Sequence, residues 1–337
     1  MRWIRYGVAG LLGLIVVLAA AGALYQFIGT NVDQQKFQPP GKLIDVGGYR
    51  MHLYCTGAGS PTVVMEAMSG GWSVYWSTVQ PEIAKMTRIC SYDRAGYAWS
   101  DPGPTPRTGQ QIATELHTLL VKAGVDGPYV LVGHSFGGFC ARLFRNLYPS
   151  EVAGMVLVDA GYEAELSRAQ FRKFFDAGRR QLSVLRVVTP LGILRLFSSL
   201  GLLPPYLEKQ SQQVPPDVRP MLRAGRLRTP YITAVANETA VLPETLEQVR
   251  TTSTLGDLPL VILTATGPIW WPDLPAEVDA AQFKQEWLEM QQKLTTLSSH
   301  STQLFADKSS HFMQFDQPQV ILDGVRRVVE ATRQKSQ

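Results

Sequence analysis

Cysteine is scarce. The three residues, Cys55, Cys90 and Cys140, are too few for a disulfide-stapled miniprotein and lack the CxxC pairing of a zinc site. An excess of one charge is missing too. Lys+Arg 32 against Asp+Glu 28 leaves +4, and the aromatics, 9% of the chain, are scattered rather than set along a basic stripe, so no nucleic-acid partner is expected. Charged residues make up only 18% of the 337 positions against 45% hydrophobic, which excludes disorder. Internal repeats and low-complexity tracts are absent. What is present is one large domain's worth of chain, with a single long uncharged run at one end.

That run lies at the N-terminus. Arg2 and Arg5 precede an apolar stretch from about Tyr6 to Tyr25, long enough as a helix to cross a hydrocarbon core of about 30 Å. Trp3 at one end and Tyr25 and Phe27 at the other suit the two interfaces. A transmembrane anchor over residues 1–30 is the first reading, because the run exceeds the usual length of a signal peptide's apolar region. The alternative is a secretory signal, cut near Ala19-Ala20-Ala21 or Ala21-Gly22-Ala23. In either case the arginines stay cytoplasmic, and the rest of the chain faces outward into a compartment that permits disulfides. Residues 31–41 read as a short polar tether ending in Pro39-Pro40-Gly41.

Beyond the tether, hydrophobic patterning alternates. Leu43–Val46 and Arg50–Cys55 flank Gly47-Gly48 as a hairpin, and Pro61–Glu66 is a buried type of strand. Trp76–Met86 reads as helix, Thr87–Tyr92 as strand, Gln110–Ala123 as helix and Tyr129–Val132 as strand. Phe139–Tyr148 then returns as helix and Met155–Val158 as strand. The alternation breaks over residues 161–256, a helical, proline-rich stretch. It resumes with a strand at Leu258–Thr264, a helix at Ala280–Leu297, a strand at Thr302–Ala306 and a helix at Pro318–Thr332. Such alternation predicts a mostly parallel sheet covered on both faces, built from residues 42–160 and 257–333, with 161–256 inserted as a helical cap.

Between a strand and a helix stands Gly133-His134-Ser135-Phe136-Gly137, a G-x-S-x-G turn in the setting that holds a serine hydroxyl out from the backbone. This turn and Gly138, the segment Tyr92–Asp101, and Ser310-His311-Phe312 ahead of Asp316-Gln317-Pro318 are similar to the alpha/beta-hydrolase superfamily, in its serine-nucleophile esterase and lipase branch. The resemblance runs from about residue 42 to 333. It implies the alpha/beta-hydrolase fold: a mostly parallel eight-stranded sheet with helices on both faces and the cap inserted after the sixth strand. Serine rather than aspartate at 135 departs from the epoxide-hydrolase and haloalkane-dehalogenase branches.

The resemblance also implies a triad. A serine hydroxyl needs an imidazole within hydrogen-bond reach. Of five histidines, His52 and His117 lie on an early strand and a helix, His134 adjoins the nucleophile, and His300 precedes the last strand. His311 follows that strand at the sheet's carboxyl edge and occupies the place of the family's base. The acid is Asp159, ending the strand after the nucleophile helix, with Asp273 as the alternative in a loop the family commonly uses. Asp316 reads as the cap of the final helix. Two backbone amides should receive the developing oxyanion, that of Phe136 and that of Ser69, with Met68 as the alternative. No metal or organic cofactor is required. Glu66, an unusual charge at a buried strand end, is a candidate partner for Arg94, and Tyr92–Asp101 reads as a braced loop. Cys55 and Cys90 fall on strands that neighbour each other in this fold, which would allow a bridge.

The cap should lie over the site and select the substrate. It carries 13 Lys+Arg against 8 Asp+Glu, and Leu191–Leu203 is apolar, so two readings stand. It either touches an anionic membrane surface through Arg223, Arg226 and Arg228 or packs wholly on the core. The expected activity is hydrolysis of a small-molecule carboxylic ester with an apolar part, through an acyl-enzyme. An amidase or aminopeptidase with the same triad is the nearest rival, marked by acidic cap residues gripping an amine. A non-catalytic ligand-binding protein of the same fold is the other.

Overall fold

The computed structural model describes residues 2–203, 214–252, 254–268, 271 and 274–335. Eight strands form one sheet: β1 (Lys42–Asp45), β2 (Arg50–Thr56), β3 (Thr62–Glu66), β4 (Ile89–Tyr92), β5 (Tyr129–His134), β6 (Val152–Val158), β7 (Leu260–Ala265) and β8 (Ser301–Ala306). Their order is β1-β2-β4-β3-β5-β6-β7-β8, with β1 and β2 antiparallel additions to a parallel body. Every residue of β3, β4, β5 and β7 is buried, as their unbroken apolar runs require when helices cover both faces. The helices α3 (Gly109–Lys122) and α4 (Phe136–Leu147) share one core layer with Leu131, Met155 and Leu157. On the other face α10 (Ala280–Leu294) and α12 (Pro318–Lys335) close over Val130, Val156 and Leu263.

The cap leaves the sheet after β6 and returns at β7. Its described helices are α5 (Ala169–Val188), α6 (Ile193–Ser199), α7 (Arg219–Arg226), α8 (Thr229–Ala240) and α9 (Leu242–Arg250), and α5 and α6 meet at 94°. A third cluster, including Trp72, Tyr75, Tyr97, Leu185, Leu222 and Tyr231, joins the cap to loops at the sheet's carboxyl edge. Below it Arg94 crosses between the two parts. Its Nε donates to Glu66 Oε1 at 2.8 Å and its Nη1 to Glu238 Oε2 on α8 at 3.1 Å. The expected Glu66 partner is therefore present, and a cap carboxylate is a second one. Tyr92 donates to Glu66 and Tyr97 to Glu238, so the buried charges are held by several groups. Asp93 braces the Tyr92–Asp101 loop, accepting from Ser73 and Trp99 backbone N–H, with His52 Nδ1 at 3.0 Å.

Several boundaries differ from the sequence expectation. The N-terminal helix α1 runs from Arg2 to Lys36, so residues 31–36 are helical and the tether is shorter than 31–41. Nothing between Thr30 and Lys36 breaks a helix, and Asp33 is held by Arg195 of α6 at 2.6 Å. In place of one helix over 76–86 there is a 3-10 turn at Ser73–Trp76 and a single turn, α2 (Gln80–Ile83), with Pro81 in its first turn. Helix α4 begins at Phe136 rather than Phe139, directly after Ser135. Cys55 and Cys90 face each other across the antiparallel β2–β4 pair and form a disulfide; Cys140 is buried and free. Arg226, one of three arginines expected at a membrane surface, is buried and donates to Tyr75, and Arg228 is half-buried. Among the described residues, α1 is the single helix that is by itself long and apolar enough to cross a membrane.

Candidate active site

Ser135 sits where β5 stops and α4 starts, with φ +53° and ψ −119°, a conformation that side-chain-bearing residues rarely adopt. Hydrogen bonds hold it there. Ser135 N–H donates to Val158 C=O at 3.1 Å, and Ser135 C=O accepts from Gly138 and Gly161 at 2.9 and 3.0 Å. Gly137 passes so close to β3 that a Cβ would lie 2.4 Å from Glu66 O and 2.7 Å from Ala67 O, so only glycine permits this approach. The contact sets the N–H end of α4 against the Ala67-Met68-Ser69 segment. Met68, Ser69, Ser135, Phe136 and His311 all line one cavity of about 310 Å³.

His311 follows β8, in a loop fastened from two directions. Ser310 donates to Asp316 Oδ2 through both its backbone N–H (2.8 Å) and its hydroxyl (2.5 Å), and Ser309 C=O accepts from Gly267 N–H at 3.0 Å. Asp316 thus braces this loop instead of capping α12; it closes the single turn α11 (Met313–Asp316). The imidazole lies against Trp271 at a tilt of 37°, with ring centroids 4.7 Å apart, and Trp287 meets it edge-on at 5.7 Å. His311 Nδ1 lies 2.6 Å from Asp159 Oδ2, and both side chains are buried. Asp159 has φ +39°, and its Oδ1 accepts from Ala265 N–H at 3.0 Å and Trp287 Nε1–H at 2.9 Å. A side chain held by three partners in a buried site cannot swing away from the imidazole. Asp273, the alternative acid, lies outside the described residues.

The other histidines have other partners. His134 turns beneath the turn, and its Nε2–H donates to the His311 carbonyl at 2.9 Å; burial first, then the neighbouring imidazole, holds its pKa well below the ordinary value. His52 is buried beside Asp93, His117 pairs with Glu151 at 3.0 Å, and His300 lies at the far end of β8 against the Asp257 carbonyl. The cavity wall is mostly apolar, including Phe139, Phe171, Phe174, Leu182, Leu185 and Tyr231. Its carboxyl groups are Glu165 and Glu238. Burial pushes Glu165 up to about 8, so it is mostly protonated at neutral pH, while Glu238 is committed to Arg94 and Tyr97. Among the described residues no cluster of His, Cys, Asp and Glu has the makings of a metal site.

Three contributors were not read from the sequence: Trp287, which donates to Asp159; Trp271, against the imidazole; and Glu238, the second partner of Arg94. On α10, Trp287 shares a helical spacing with Phe283 and Met290, which in a sequence marks only an apolar face.

A family model described as the alpha/beta hydrolase fold matches residues 61–187. The chain has the alpha/beta-hydrolase fold. A thermophilic esterase from Thermogutta terrifontis superimposes with a TM-score of 0.61 at 18% identity, covering 86% of this chain and 98% of the esterase. The epoxide hydrolase CorEH does so at 0.59 and 17%, covering 85% and 96%, so the fold is shared by hydrolases of different chemistry. Among curated relatives, the uncharacterized Bacillus subtilis protein YqjL is 24% identical over 83% of this chain and 88% of its own. An uncharacterized vacuolar membrane protein of Saccharomyces cerevisiae is 32% identical over 33% of this chain and 17% of its own. The chain spans only about a fifth of the length of the first curated relatives it matches, 20% of one and 23% of another.

Proposed function

We propose that this hydrolase-fold protein is a serine hydrolase that cleaves carboxylic esters with an apolar part through an acyl-enzyme. The observation that carries the reading is the 2.6 Å Asp159–His311 contact beside a cavity that His311 shares with the strained Ser135. In this reading Ser135 Oγ attacks the ester carbonyl while His311 Nε2 takes the hydroxyl proton. Asp159 holds Nδ1 and stabilises the imidazolium. The tetrahedral oxyanion accepts from Phe136 N–H and from one amide of the Met68-Ser69 pair. The tight Gly137 contact with Glu66 and Ala67 favours Met68, the next residue, over Ser69. Each such donor is worth about 3–4 kcal/mol of barrier. The imidazolium then protonates the leaving alcohol, and water, deprotonated by His311, releases the acid.

The cavity's carboxyls favour an ester over an amine-bearing substrate. Among the described residues, a protonated Glu165 and an Arg94-paired Glu238 leave no free carboxylate in the cavity wall to grip a cation. Labelling by a fluorophosphonate probe, abolished in Ser135→Ala, tests enzyme against ligand-binding protein. Turnover of p-nitrophenyl esters of graded length against the matching anilides tests ester against amide, and faster anilide hydrolysis would overturn the ester assignment.

The proposal includes location. Helix α1 stays in the membrane with Arg2 and Arg5 on the cytoplasmic side, and the catalytic domain stands on the other side. The Cys55–Cys90 disulfide supports an oxidising compartment. Carbonate-resistant membrane retention together with an intact N-terminal mass checks the anchor; a mature mass beginning beyond Ala19 would establish the secreted alternative.

A further inference from the structure

Helix α1 docks on the cap rather than standing clear of it. Gly22 touches Leu191 so closely that a Cβ would lie 2.2 Å from its carbonyl oxygen. One turn on, the buried Gln26 donates to Leu227 C=O at 2.7 Å and accepts from Arg195 Nε at 3.1 Å, and Arg195 Nη1 reaches Asp33. The contact is therefore fastened along one face of α1, over the three turns from Gly22 to Asp33. From Trp3 to Gly22 the helix rises about 29 Å, close to the thickness of a hydrocarbon core of about 30 Å. Residues 2–18 are exposed along that length, and none of the described residues covers them. Gly22 consequently marks where α1 leaves the lipid, and the α5–α6 elbow lies at that boundary.

The elbow is apolar on its outside. Val184, Val187, Leu196, Phe197, Leu200 and Leu202 are each between 45% and 63% exposed, flanking the Leu191–Gly192 contact with α1. Apolar side chains grouped in this way on a soluble surface are uncommon and mark an interaction site. The same two helices turn Leu182, Leu185 and Leu194 inward to line the cavity that holds Ser135. One helix layer thus separates the cavity from a surface whose continuation along α1 is lipid.

We propose that the α5–α6 elbow is immersed in the leaflet that α1 leaves, and that apolar ester substrates pass from that leaflet into the cavity beneath it without crossing bulk water. This rests on the anchor and the hydrolase reading given above. It names the source of the substrate, a lipid phase, and the surface that admits it. Immersion removes the exposed leucines and Phe197 from water, and a long acyl chain moving from lipid to the apolar cavity avoids the cost of hydration, about 0.8 kcal/mol per CH₂.

The full-length chain in phosphatidylcholine nanodiscs tests this with two readouts. Leu200→Cys carrying an NBD label is expected to be quenched by lipids with a doxyl group near the headgroup and shielded from aqueous iodide. Phe197→Glu/Leu200→Glu is expected to lower hydrolysis of p-nitrophenyl palmitate dissolved in the nanodisc about tenfold, with p-nitrophenyl acetate turnover unchanged. A label open to iodide and untouched by doxyl lipid would overturn the proposal, as would an unchanged palmitate-to-acetate ratio. Lack of acetate turnover in the unsubstituted chain removes the hydrolase reading alone and leaves the quenching to decide immersion. A chain that elutes apart from the nanodiscs overturns both the anchor and the immersion.

Discussion

The sheet and the cap solve different problems. At the sheet's carboxyl edge, Ser135 and Asp159 each follow a buried strand directly and His311 lies in the loop after the edge strand β8, so backbone hydrogen bonds between strands place the first two and a fastened loop the third. Ser135 N–H donates to Val158 and Asp159 N–H to Leu263, which ties the turn after β5 to β6 and the turn after β6 to β7. Among the described residues the cap has no strand ladder. Its helices are positioned by side chains reaching far along the chain: Glu238 to Arg94, Gln26 to Leu227, Arg195 to Asp33. Strand-borne groups suit chemistry that tolerates little displacement. Side-chain-borne helices suit a wall that must fit, admit and release a substrate. The lesson is that substitutions in the two parts should fail in different ways.

The largest effect belongs to the sheet edge. Ser135→Ala should lower kcat about 10⁶-fold for short and long esters alike, with the melting temperature unchanged, because alanine meets the same φ +53° strain. Burst kinetics with p-nitrophenyl esters measures it, and a chain-length-dependent loss would blur the division between the two parts. Asp159→Asn should follow at about 10⁴-fold, because an amide cannot stabilise the imidazolium or hold its tautomer; Asp273 as the acid would leave Asp159→Asn far more active.

The joint between the parts comes next. Arg94→Ala leaves the buried Glu66 and Glu238 without their cation and should cost about 3–5 kcal/mol in urea unfolding. A loss below about 1 kcal/mol would mean that the tyrosines alone satisfy the two carboxyls. Within the cap, Leu182→Trp should raise KM for an octanoate ester about tenfold, a methylene or two of lost fit, while acetate hydrolysis is kept. Equal effects on both esters would show that Leu182 touches the reacting end.

The smallest effect is one of pH. The Glu165 carboxyl is raised by burial from 4.5 to about 8, so the folded state binds a proton that the unfolded chain has already released. Its contribution to stability is complete below about pH 4.5 and is lost as pH rises through about 8. The melting temperature should therefore fall between pH 5 and 9 relative to Glu165→Gln, which lacks that slope. Parallel curves for the two proteins would place the carboxyl in water.

How far each part was legible in the sequence follows from the same physics. Strand alternation, the G-x-S-x-G turn and the position of His311 were readable because each is written in contiguous residues: a buried run, a glycine-flanked turn, a loop directly after a strand. Of the two acids, the structure sets Asp159 against the imidazole because β6 lies beside β5 and β7, an adjacency no local pattern encodes. Asp316, read as a helix cap from its place before Pro318, instead serves the histidine loop six residues back along the chain. The tether was drawn too long because polar residues 31–36 look solvated, whereas Arg195, some 160 positions away, gives Asp33 a reason to stay helical.

The chain's own order of residues settles the class of fold, the apolar N-terminal run and which side chains are chemically able to react, since these depend on periodicity and on neighbours a few positions apart. Packing alone decides that Trp287 holds Asp159, that Arg94 is shared between sheet and cap, and that the elbow beside α1 turns leucines both inward and outward. Those contacts join residues more than a hundred positions apart or face them across a helix, and their energies exist only once burial has removed the water between them.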